Sequence, residues 1–244
     1  MSGLGSGIIG RKIIHLPEVD STNEYAKLIA LNEPDGTVVV ADRQTAGKGR
    51  KGRTWASPEG GLWMSVILKP RGRPEDIPKL VFIGALAVAD TLGEFGIEAD
   101  IKWPNDVWVN GKKICGILAE GRLSQFVVLG IGLNVNNEIP EELKGMATSM
   151  KAVLGRRAEL DEVLRVLIER LDRWYTVFLE GRYGEIISAV RERSLVLGRE
   201  VKVIEEGIEL VGKAVDIDDD GALILETSGG RVRVLYGDVS LRFV

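Results

Sequence analysis

The pattern of apolar residues changes near Ser194, and this change constrains the fold more than any other feature of the sequence. Before it, segments with strand periodicity alternate with segments whose apolar residues recur at helical spacing. After it, short β-rich segments are separated only by glycine-containing turns. We therefore expect two domains. Residues 1–194 should form an α/β (α+β) domain, a mixed β-sheet flanked by helices, and residues 195–244 a small β-barrel.

Local patterns predict the order of elements within this plan. Strands are expected at residues 37–41, 61–68, 106–109, 112–118 and 126–135, and helices at 21–32, 76–95, 160–180 and 185–193. The β-rich segments after Ser194 are 200–204, 208–217, 222–226 and 231–236. Ser21 and Glu24 have the spacing of a capping box, which predicts that their side chains cap the first helix.

The dipeptide Asn110-Gly111 predicts a tight β-hairpin between two of these strands. With a two-residue turn, Trp108 faces Lys113 and Asp106 faces Cys115. Alternate side chains share a face of a sheet, so Lys113, Trp108 and Asp106 are expected on the same side. An exposed hairpin is the competing interpretation, but the apolar run after Lys113 is typical of a buried strand.

Composition excludes several kinds of site. The 244 residues contain one cysteine, Cys115, and one histidine, His15, which leaves no intrachain disulfide and argues against a metal centre or catalytic dyad built on these residue types. No apolar run reaches the roughly 18 residues that a membrane span needs. The N-terminal residues lack the apolar core of a signal peptide. We expect a cytoplasmic protein with no membrane partner.

The loop from Gly47 to Gly61 is rich in glycine and basic residues. Gly47-x-x-x-x-Gly52-Arg53-Thr54 differs from a nucleotide phosphate loop by Arg53 in place of lysine, but Ser57-Pro58 and the glycines that follow exclude the helix such a loop requires. Three interpretations remain: a solvated turn, a nucleic-acid contact, or a segment that closes over an anionic intermediate. The net charge of −4 and the lack of a second basic cluster disfavour nucleic acid.

A further glycine pattern lies in Gly130-Ile131-Gly132-Leu133-Asn134. Glycine inside a strand indicates either close approach of another group or a β-bulge, and the sequence does not choose between the two.

Together these motifs resemble the biotin protein ligases. The resemblance covers almost the whole chain and rests on five ordered segments: 20–23, 44–55, 102–106, 113–118 and 130–135. It implies a catalytic domain like that of class II synthetases and an SH3-like C-terminal barrel. The family's loop is usually Gly-Arg-Gly-Arg-Arg-Gly-Arg. Lys48 and Lys51 replace two of its arginines, which keeps the charge but loses bidentate geometry.

The resemblance implies a two-step reaction. Biotin and ATP form biotinyl-5′-AMP with Mg²⁺, and the biotinyl group is then transferred to a lysine of a biotin carboxyl carrier protein. A homodimer is expected, as in many members. Some members carry an N-terminal DNA-binding helix-turn-helix, but the roughly 20 residues before Ser21 leave no room for one, so no DNA partner is expected.

The resemblance also assigns site residues. Expected catalytic residues are Arg50, Lys113 and, as a hypothetical general base, Asp106. Expected biotin-binding residues are Ser21, Thr22, Asn23, Gln44, Gly47, Lys48, Gly49, Arg50, Lys113, Gly116 and Gly132. Expected ATP-binding residues are Arg50, Arg53, Trp55, Asn105, Lys113 and Asn134, and Asn105 and Asp106 are the expected Mg²⁺ ligands. Two alternatives remain: a lipoate–protein ligase of the same fold, and a nucleic-acid-binding module that uses the Lys48–Arg53 loop.

Overall fold

The computed structural model describes residues 7–70, 76–122, 125–205, 208–235 and 238–241. Its larger sheet has seven strands in the order β1-β2-β3-β7-β6-β5-β4. They are β1 (Ile13–Val19), β2 (Thr37–Gln44), β3 (Leu62–Leu68), β4 (Asp100–Lys102), β5 (Asp106–Val109), β6 (Lys112–Arg122) and β7 (Phe126–Leu133). Strands β1 and β2 are parallel, and the other neighbours are antiparallel. The sheet is therefore mixed, as predicted.

Helices cover both faces of this sheet. They are α1 (Thr22–Ile29), α2 (Ile77–Glu94), α3 (Met150–Leu154), α4 (Leu160–Leu179) and α5 (Tyr183–Glu192). Successive side chains of β7 point to opposite faces of the sheet. Val128 packs in a small cluster with α1, whereas Leu129 joins the main core below α2. Helices α4 and α5 pack on α2, so that face carries two helical layers.

The C-terminal residues form a five-stranded antiparallel sheet, in the order β11-β10-β9-β8-β12. Its strands are β8 (Glu200–Glu205), β9 (Ile208–Ile217), β10 (Leu223–Thr227), β11 (Gly230–Val234) and β12 (Asp238–Leu241). Buried Val201, Ala214 and Leu223 belong to the same apolar core as the helices. The indole of Trp103 donates to the carbonyl of Gly221 at 2.9 Å, which joins the two parts at a buried position.

The long periodic elements agree with the sequence prediction, and four other elements were missed. Strands β1, β4 and β12 and helix α3 have no counterpart among the predicted elements. Pro17 interrupts the pattern of β1, which lies at a sheet edge where proline is tolerated. Tyr236, the last residue of one predicted strand, lies outside the described residues.

The capping-box prediction is wrong. Ser21 is the N-cap residue of α1, but its side chain makes no capping hydrogen bond. The carboxylate of Glu24 instead accepts from Lys27 and Lys48, each at 2.6 Å. Charged partners from the helix and from the glycine-rich loop therefore replace the local contact that the spacing suggested.

The hairpin prediction is correct for the turn and for the pairing of Trp108, but the predicted partner of Asp106 is wrong. Asn110 and Gly111 both have positive φ, and Trp108 pairs with Lys113. The register then shifts, so Asp106 faces Gly116 rather than Cys115. The extra residue in β6 is Ile114, and a bulge of this kind allows Ile114 and Cys115, two consecutive apolar side chains, both to be buried.

Candidate functional site

A cavity of about 280 Å³ lies on the α1 side of the large sheet, close to the lower end of the range for small-molecule sites. Its walls come from the start of α1, the glycine-rich loop, strands β3, β6 and β7, and the segment 137–147. Residues that are far apart in sequence thus surround one small volume. The sequence-predicted residues that line it are Ser21, Thr22, Asn23, Gln44, Lys48, Gly49, Arg50, Arg53, Trp55, Asn105, Asp106, Lys113, Gly116, Gly132 and Asn134.

Gly47 is not among the lining residues. A Cβ at Gly47 would lie 2.4 Å from the carbonyl oxygen of Trp55 and 2.5 Å from Ser57 Oγ. The glycine therefore permits close packing behind the loop, in a place where any side chain would collide with backbone.

Three glycines make the floor of the cavity. A Cβ at Gly132 would lie 2.4 Å from Trp55 Nε1, one at Gly116 would lie 3.3 Å from Lys113 Nζ, and one at Gly130 would lie 2.2 Å from Asn23 Oδ1. The register between β6 and β7 is regular through all three positions. These glycines therefore mark close approach of other groups rather than a bulge, which resolves the alternative left open by the sequence.

Lys113 brings a positive charge into this space. Its Nζ lies 2.7 Å from Asp106 Oδ1 and 5.0 Å from the ring centroid of Trp55. Trp108, which the hairpin register places opposite Lys113, is instead covered by Lys102 at 4.4 Å. The backbone of Lys113 is also held, because its N–H donates to the carbonyl of Met146 at 2.9 Å. The ammonium is thus positioned from both strand and loop.

The glycine-rich loop is an ordered hairpin beside the cavity. The N–H of Trp55 donates to Gly47 at 2.8 Å, and that of Gly49 donates to Arg53 at 2.7 Å. At its tip, Lys51 and Gly52 have φ of 55° and 72°. A strand, not a helix, follows the loop, as the sequence predicted. Its charged residues are therefore presented by hairpin geometry and not by a helix N-terminus.

Two contacts fix this hairpin to the body of the domain. Lys48 Nζ donates to Glu24 Oε1 at 2.6 Å, and Arg50 Nη1 donates to Asn105 Oδ1 at 2.9 Å. Hydrogen bonds from Lys27 and Lys48 lower the pKa of Glu24, and the bond to Glu24 raises the pKa of Lys48. Both loop cations are thereby directed toward the cavity wall.

The polar end of the cavity is formed by Thr22 and Gln44. The backbone N–H of Thr22 donates to Gln44 Oε1 at 2.8 Å, and Gln44 Nε2 donates to Ser57 Oγ at 2.7 Å. Behind Thr22 lies Ser65 of β3, fully buried and 2.7 Å from Thr22 Oγ1. Sequence analysis missed Ser65, although it is the one polar residue in the apolar run Leu62–Leu68.

The expected Mg²⁺ ligands already face cations. Asn105 Oδ1 accepts from Arg50, and Asp106 is paired with Lys113. Among the described residues, no three or more His, Cys, Asp or Glu side chains form a cluster suited to a metal ion. One amide oxygen and one carboxylate do not make a complete cage. Their oxygens are of the kind that Mg²⁺ prefers, and they would hold such an ion only together with ligands from outside the protein.

Asn134 and Cys115 have structural roles. Asn134 donates to the carbonyl of Thr148 at 3.1 Å and accepts from Asn137 at 3.0 Å, so its side chain ties together the loop after β7. Cys115 lies two residues after Lys113 but is fully buried outside the cavity lining, and burial raises the pKa of its thiol well above the usual range. It is a core residue and not a nucleophile.

Within the described part of the chain, no helix combines the length and apolar character needed to cross a membrane.

Comparison with known proteins agrees with this geometry. Residues 16–136 match the model of the biotin/lipoate A/B protein ligase family, and residues 196–242 match that of the biotin protein ligase C-terminal domain. The bifunctional ligase/repressor BirA of Bacillus subtilis is 37% identical over 98% of this chain and 77% of its own length. The biotin–[acetyl-CoA-carboxylase] ligase of Mycobacterium tuberculosis is 36% identical over 97% and 91%.

A solved structure is similar over the whole fold. The biotin protein ligase from Aquifex aeolicus in complex with biotin and ATP superposes with a TM-score of 0.87 and 38% identity, covering 95% of this chain and 99% of that one. The superposition, which covers 95% of this chain, includes both the large sheet and the C-terminal sheet. The chain therefore belongs to the biotin/lipoate A/B protein ligase family.

Proposed function

We propose that this protein is an ATP-dependent biotin ligase, which joins biotin to ATP as biotinyl-5′-AMP and transfers the biotinyl group to a lysine of a biotin carboxyl carrier protein. The observation that carries the proposal is the ammonium of Lys113, held by Asp106 inside a cavity that the uncharged polar residues Thr22 and Gln44 also line. Relatives named as biotin ligases, aligned over almost the whole chain, support the same function.

The first step brings two anions together. The biotin carboxylate attacks the α-phosphorus of ATP, a new P–O bond forms, and pyrophosphate leaves with the bonding electrons. The repulsion between carboxylate and phosphate must be offset by fixed positive charge, which is most effective in a site shielded from water. Lys113 supplies one such charge, and Arg50 supplies a second from the loop hairpin. Both are already anchored by carboxylate or amide partners.

Substrate binding divides the cavity into two ends. At the polar end, Ser21, Thr22, Asn23 and Gln44 bind the ureido ring, with Lys48, Gly49, Gly116 and Gly132 along the rest of biotin. At the other end, Arg53, Trp55, Asn105 and Asn134 surround ATP. Asn105 and Asp106 would hold the Mg²⁺ that ATP carries, and the ion would supply charge neutralisation at the phosphates. Gly47 acts through close packing of the loop.

In the second step the acceptor lysine attacks the mixed anhydride. Its nitrogen bonds to the carbonyl carbon, AMP leaves, and the nitrogen loses a proton. Asp106 is the proposed general base, because its carboxylate lines the cavity beside Lys113. Asp106→Asn should slow transfer from preformed biotinyl-5′-AMP at least tenfold. Unchanged transfer would remove Asp106 from this role.

The remaining parts of the proposal concern assembly and context. We infer a homodimer in the cytoplasm, and domains at residues 1–194 and 195–244, with the boundary where the chain leaves α5 for the C-terminal sheet. Size-exclusion chromatography with light scattering measures the mass against 26.6 kDa for one chain.

Two alternative functions differ from this proposal in the ligand that the protein would bind. A lipoate ligase would activate lipoate instead of biotin, although the paired amide and hydroxyl groups at Thr22 and Gln44 favour a polar head group. A nucleic-acid-binding module would use the Lys48–Arg53 loop, yet Lys48 and Arg50 are directed to Glu24 and Asn105. Such binding would weaken steeply with salt and would not respond to biotin.

The decisive experiment is biotin-dependent exchange of labelled pyrophosphate into ATP, with lipoate in parallel. The wild type should exchange with biotin alone. Lys113→Ala should lower exchange by about 10²–10³-fold, as expected for loss of a preorganised charge. Lys112→Ala is the matched control, because Lys112 is the preceding lysine but its Nζ donates to the carbonyl of Lys144, away from the cavity. Exchange with neither acid by folded protein would refute the ligase.

A further inference from the structure

A chain of hydrogen bonds runs from the cavity wall to a carboxylate behind it. Ser65 Oγ lies 2.7 Å from Thr22 Oγ1 and 2.6 Å from Asn23 Oδ1, and Asn23 Nδ2 donates to Glu120 Oε2 at 2.9 Å. Thr22, Asn23 and Ser65 are each no more than 4% exposed. Buried polar groups that are this close must each have a definite role as donor or acceptor.

The donor and acceptor in each of these hydrogen bonds follow from the carboxylate of Glu120, where the series ends. An ionised carboxylate only accepts, so Glu120 requires the NH₂ group of Asn23 and leaves Asn23 Oδ1 as an acceptor. The Ser65 hydroxyl has a single proton, and that proton must therefore go to Asn23. The short contact between Ser65 and Thr22 is then a hydrogen bond only if the Thr22 hydroxyl is the donor. The other oxygen of this carboxylate, Glu120 Oε1, lies 3.5 Å from Lys27 Nζ.

The fixed direction has a consequence at the cavity surface. Because the Thr22 proton is directed to Ser65, Thr22 Oγ1 presents only lone pairs to the cavity. Thr22 has one hydroxyl proton, and the shorter 2.7 Å contact with Ser65 takes it away from Gln44 Oε1, which lies 3.0 Å from Thr22 Oγ1. Among the described residues, Gln44 Oε1 then accepts from the Thr22 backbone N–H alone. Two neighbouring oxygen acceptors without a proton between them repel each other. An N–H donor on the ligand relieves that repulsion, whereas a ligand oxygen increases it.

We propose that Ser65 and Glu120 are positioning residues that make the polar end of the cavity an acceptor pair and so select ligands with a ring N–H over ligands with oxygen at that place. The inference rests on the proposed function, since it takes the cyclic urea of biotin as the ligand. Gly130 contributes by leaving space for Asn23, where a Cβ would lie 2.2 Å from Asn23 Oδ1. Neither Ser65 nor Glu120 touches the ligand in this account.

The test compares biotin with its cyclic carbamate analogue, in which oxygen replaces one ureido N–H. Binding of each free acid is measured by calorimetry without ATP. The wild type should bind biotin at least tenfold more tightly than the carbamate. Ser65→Ala frees the Thr22 proton to turn toward the cavity, and this ratio should then fall by about tenfold. Glu120→Ala should lower the ratio in the same direction.

Conservative variants distinguish positioning from loss of packing. Glu120→Gln keeps an oxygen that accepts from Asn23 and should retain the wild-type ratio. Thr37→Val is the matched control for loss of a buried hydroxyl, because Thr37 is fully buried on β2 and bonds to the Pro34 carbonyl at 2.9 Å, outside the cavity lining. It should lower the melting temperature without changing the ratio.

The outcomes separate this inference from the proposed function. An unchanged ratio in both Ser65→Ala and Glu120→Ala overturns the positioning role, even if both variants bind biotin more weakly. That result would leave the ligase proposal intact, because pyrophosphate exchange by the wild type tests it separately. A drop in the ratio in the alanine variants, with retention in Glu120→Gln, supports the inference.

Discussion

At the scale of single residues, the absence of side chains at Gly116, Gly130 and Gly132 determines the shape of the site. Each accommodates a group from elsewhere in the chain: the end of Lys113, the amide of Asn23 and the indole of Trp55. A strand that carries β-branched residues at these positions would be more favourable locally. Glycine lowers the local stability of the strand, but it leaves the floor of the cavity flat.

The first prediction concerns Gly132. Gly132→Ala places a Cβ 2.4 Å from Trp55 Nε1, so the indole must move out of its position against the sheet. We expect biotin-dependent pyrophosphate exchange to fall at least tenfold. Gly93→Ala is the control, because a Cβ at Gly93 in α2 meets nothing within 4 Å, and a change from glycine to alanine in a helix stabilises by about 0.5–1 kcal/mol. Equal activity of the two variants would contradict the prediction.

The second prediction concerns the pH dependence of the loop anchor at Glu24. Lys27 and Lys48 lower the pKa of Glu24 below its usual value of 4.5 in the folded protein. The stabilisation is therefore present above the unfolded pKa and is lost as pH falls through the lower folded pKa. Glu24→Gln should speed hydrogen exchange at the Trp55 and Gly49 amides several-fold at pH 7. That difference from the wild type should vanish once the pH falls below the lowered pKa of Glu24 in the folded protein.

A matched control for Glu24 exists on α5. Hydrogen bonding to Arg182 lowers the pKa of Glu185 in the same way, but Glu185 lies away from the loop. Glu185→Gln should leave exchange in the loop hairpin unchanged. Faster loop exchange in this variant would mean that the effect of Glu24→Gln is not specific to the Lys48 contact.

At the scale of elements, the long segments could be predicted because one periodicity dominates each of them. Helix α4 begins and ends within one residue of the predicted range, and its apolar side is buried as expected. Strand β1 was missed because Pro17 and polar residues obscure its alternation, and β4 was missed because it has three residues. Pairing with a neighbouring strand, which the sequence does not display, makes these segments strands.

The site was predictable to the extent that motifs mark it. The resemblance named fifteen of the residues that line the cavity, but it did not find Ser65, Glu120 or the bulge at Ile114. Ser65 and Glu120 act through hydrogen bonds to Asn23, a long-range contact with no fixed spacing. The bulge depends on the burial of two neighbouring apolar side chains, and only tertiary packing determines that.

An element-level prediction concerns the link between the Lys102–Asp106 segment and the C-terminal sheet. Trp103→Phe removes the indole N–H and leaves the buried Gly221 carbonyl without its partner, at a cost of about 1–3 kcal/mol in the free energy of unfolding. Because Asn105 lies two residues away, KM for ATP should also rise. Trp174→Phe removes an indole bond from α4 to Asp90 on α2, and it should leave KM for ATP unchanged. A similar rise in both variants would argue against this coupling.

At the scale of the whole molecule, the two parts share one apolar core. Side chains of α2, α4 and α5 and of β8, β9 and β10 belong to the same cluster of buried residues. Arg191 of α5 adds a polar link, since its guanidinium donates to Asp216 and to the carbonyl of Ile217, both at 2.8 Å. The division into two sequence patterns therefore does not correspond to two separate cores.

This shared core predicts a single cooperative unfolding transition. Far-ultraviolet circular dichroism, which reports mainly on the helices, should change at the same urea concentration as the backbone amide NMR signals of β8, β9 and β10. Arg191→Ala should move both midpoints downward together. Two separated transitions, with the C-terminal sheet unfolding first, would contradict a common core.

The position of Trp55 should make its fluorescence sensitive to ligand binding. Its ring lines the cavity, its indole N–H is buried without a hydrogen-bond partner, and the ammonium of Lys113 lies 5.0 Å from its centroid. By contrast, Trp63 and Trp103 are buried and bonded to backbone carbonyls. A carboxylate that neutralises Lys113 changes the electric field at the indole of Trp55. Occupancy of the site should therefore be readable without any label, as a shift in emission wavelength that Trp55→Phe abolishes.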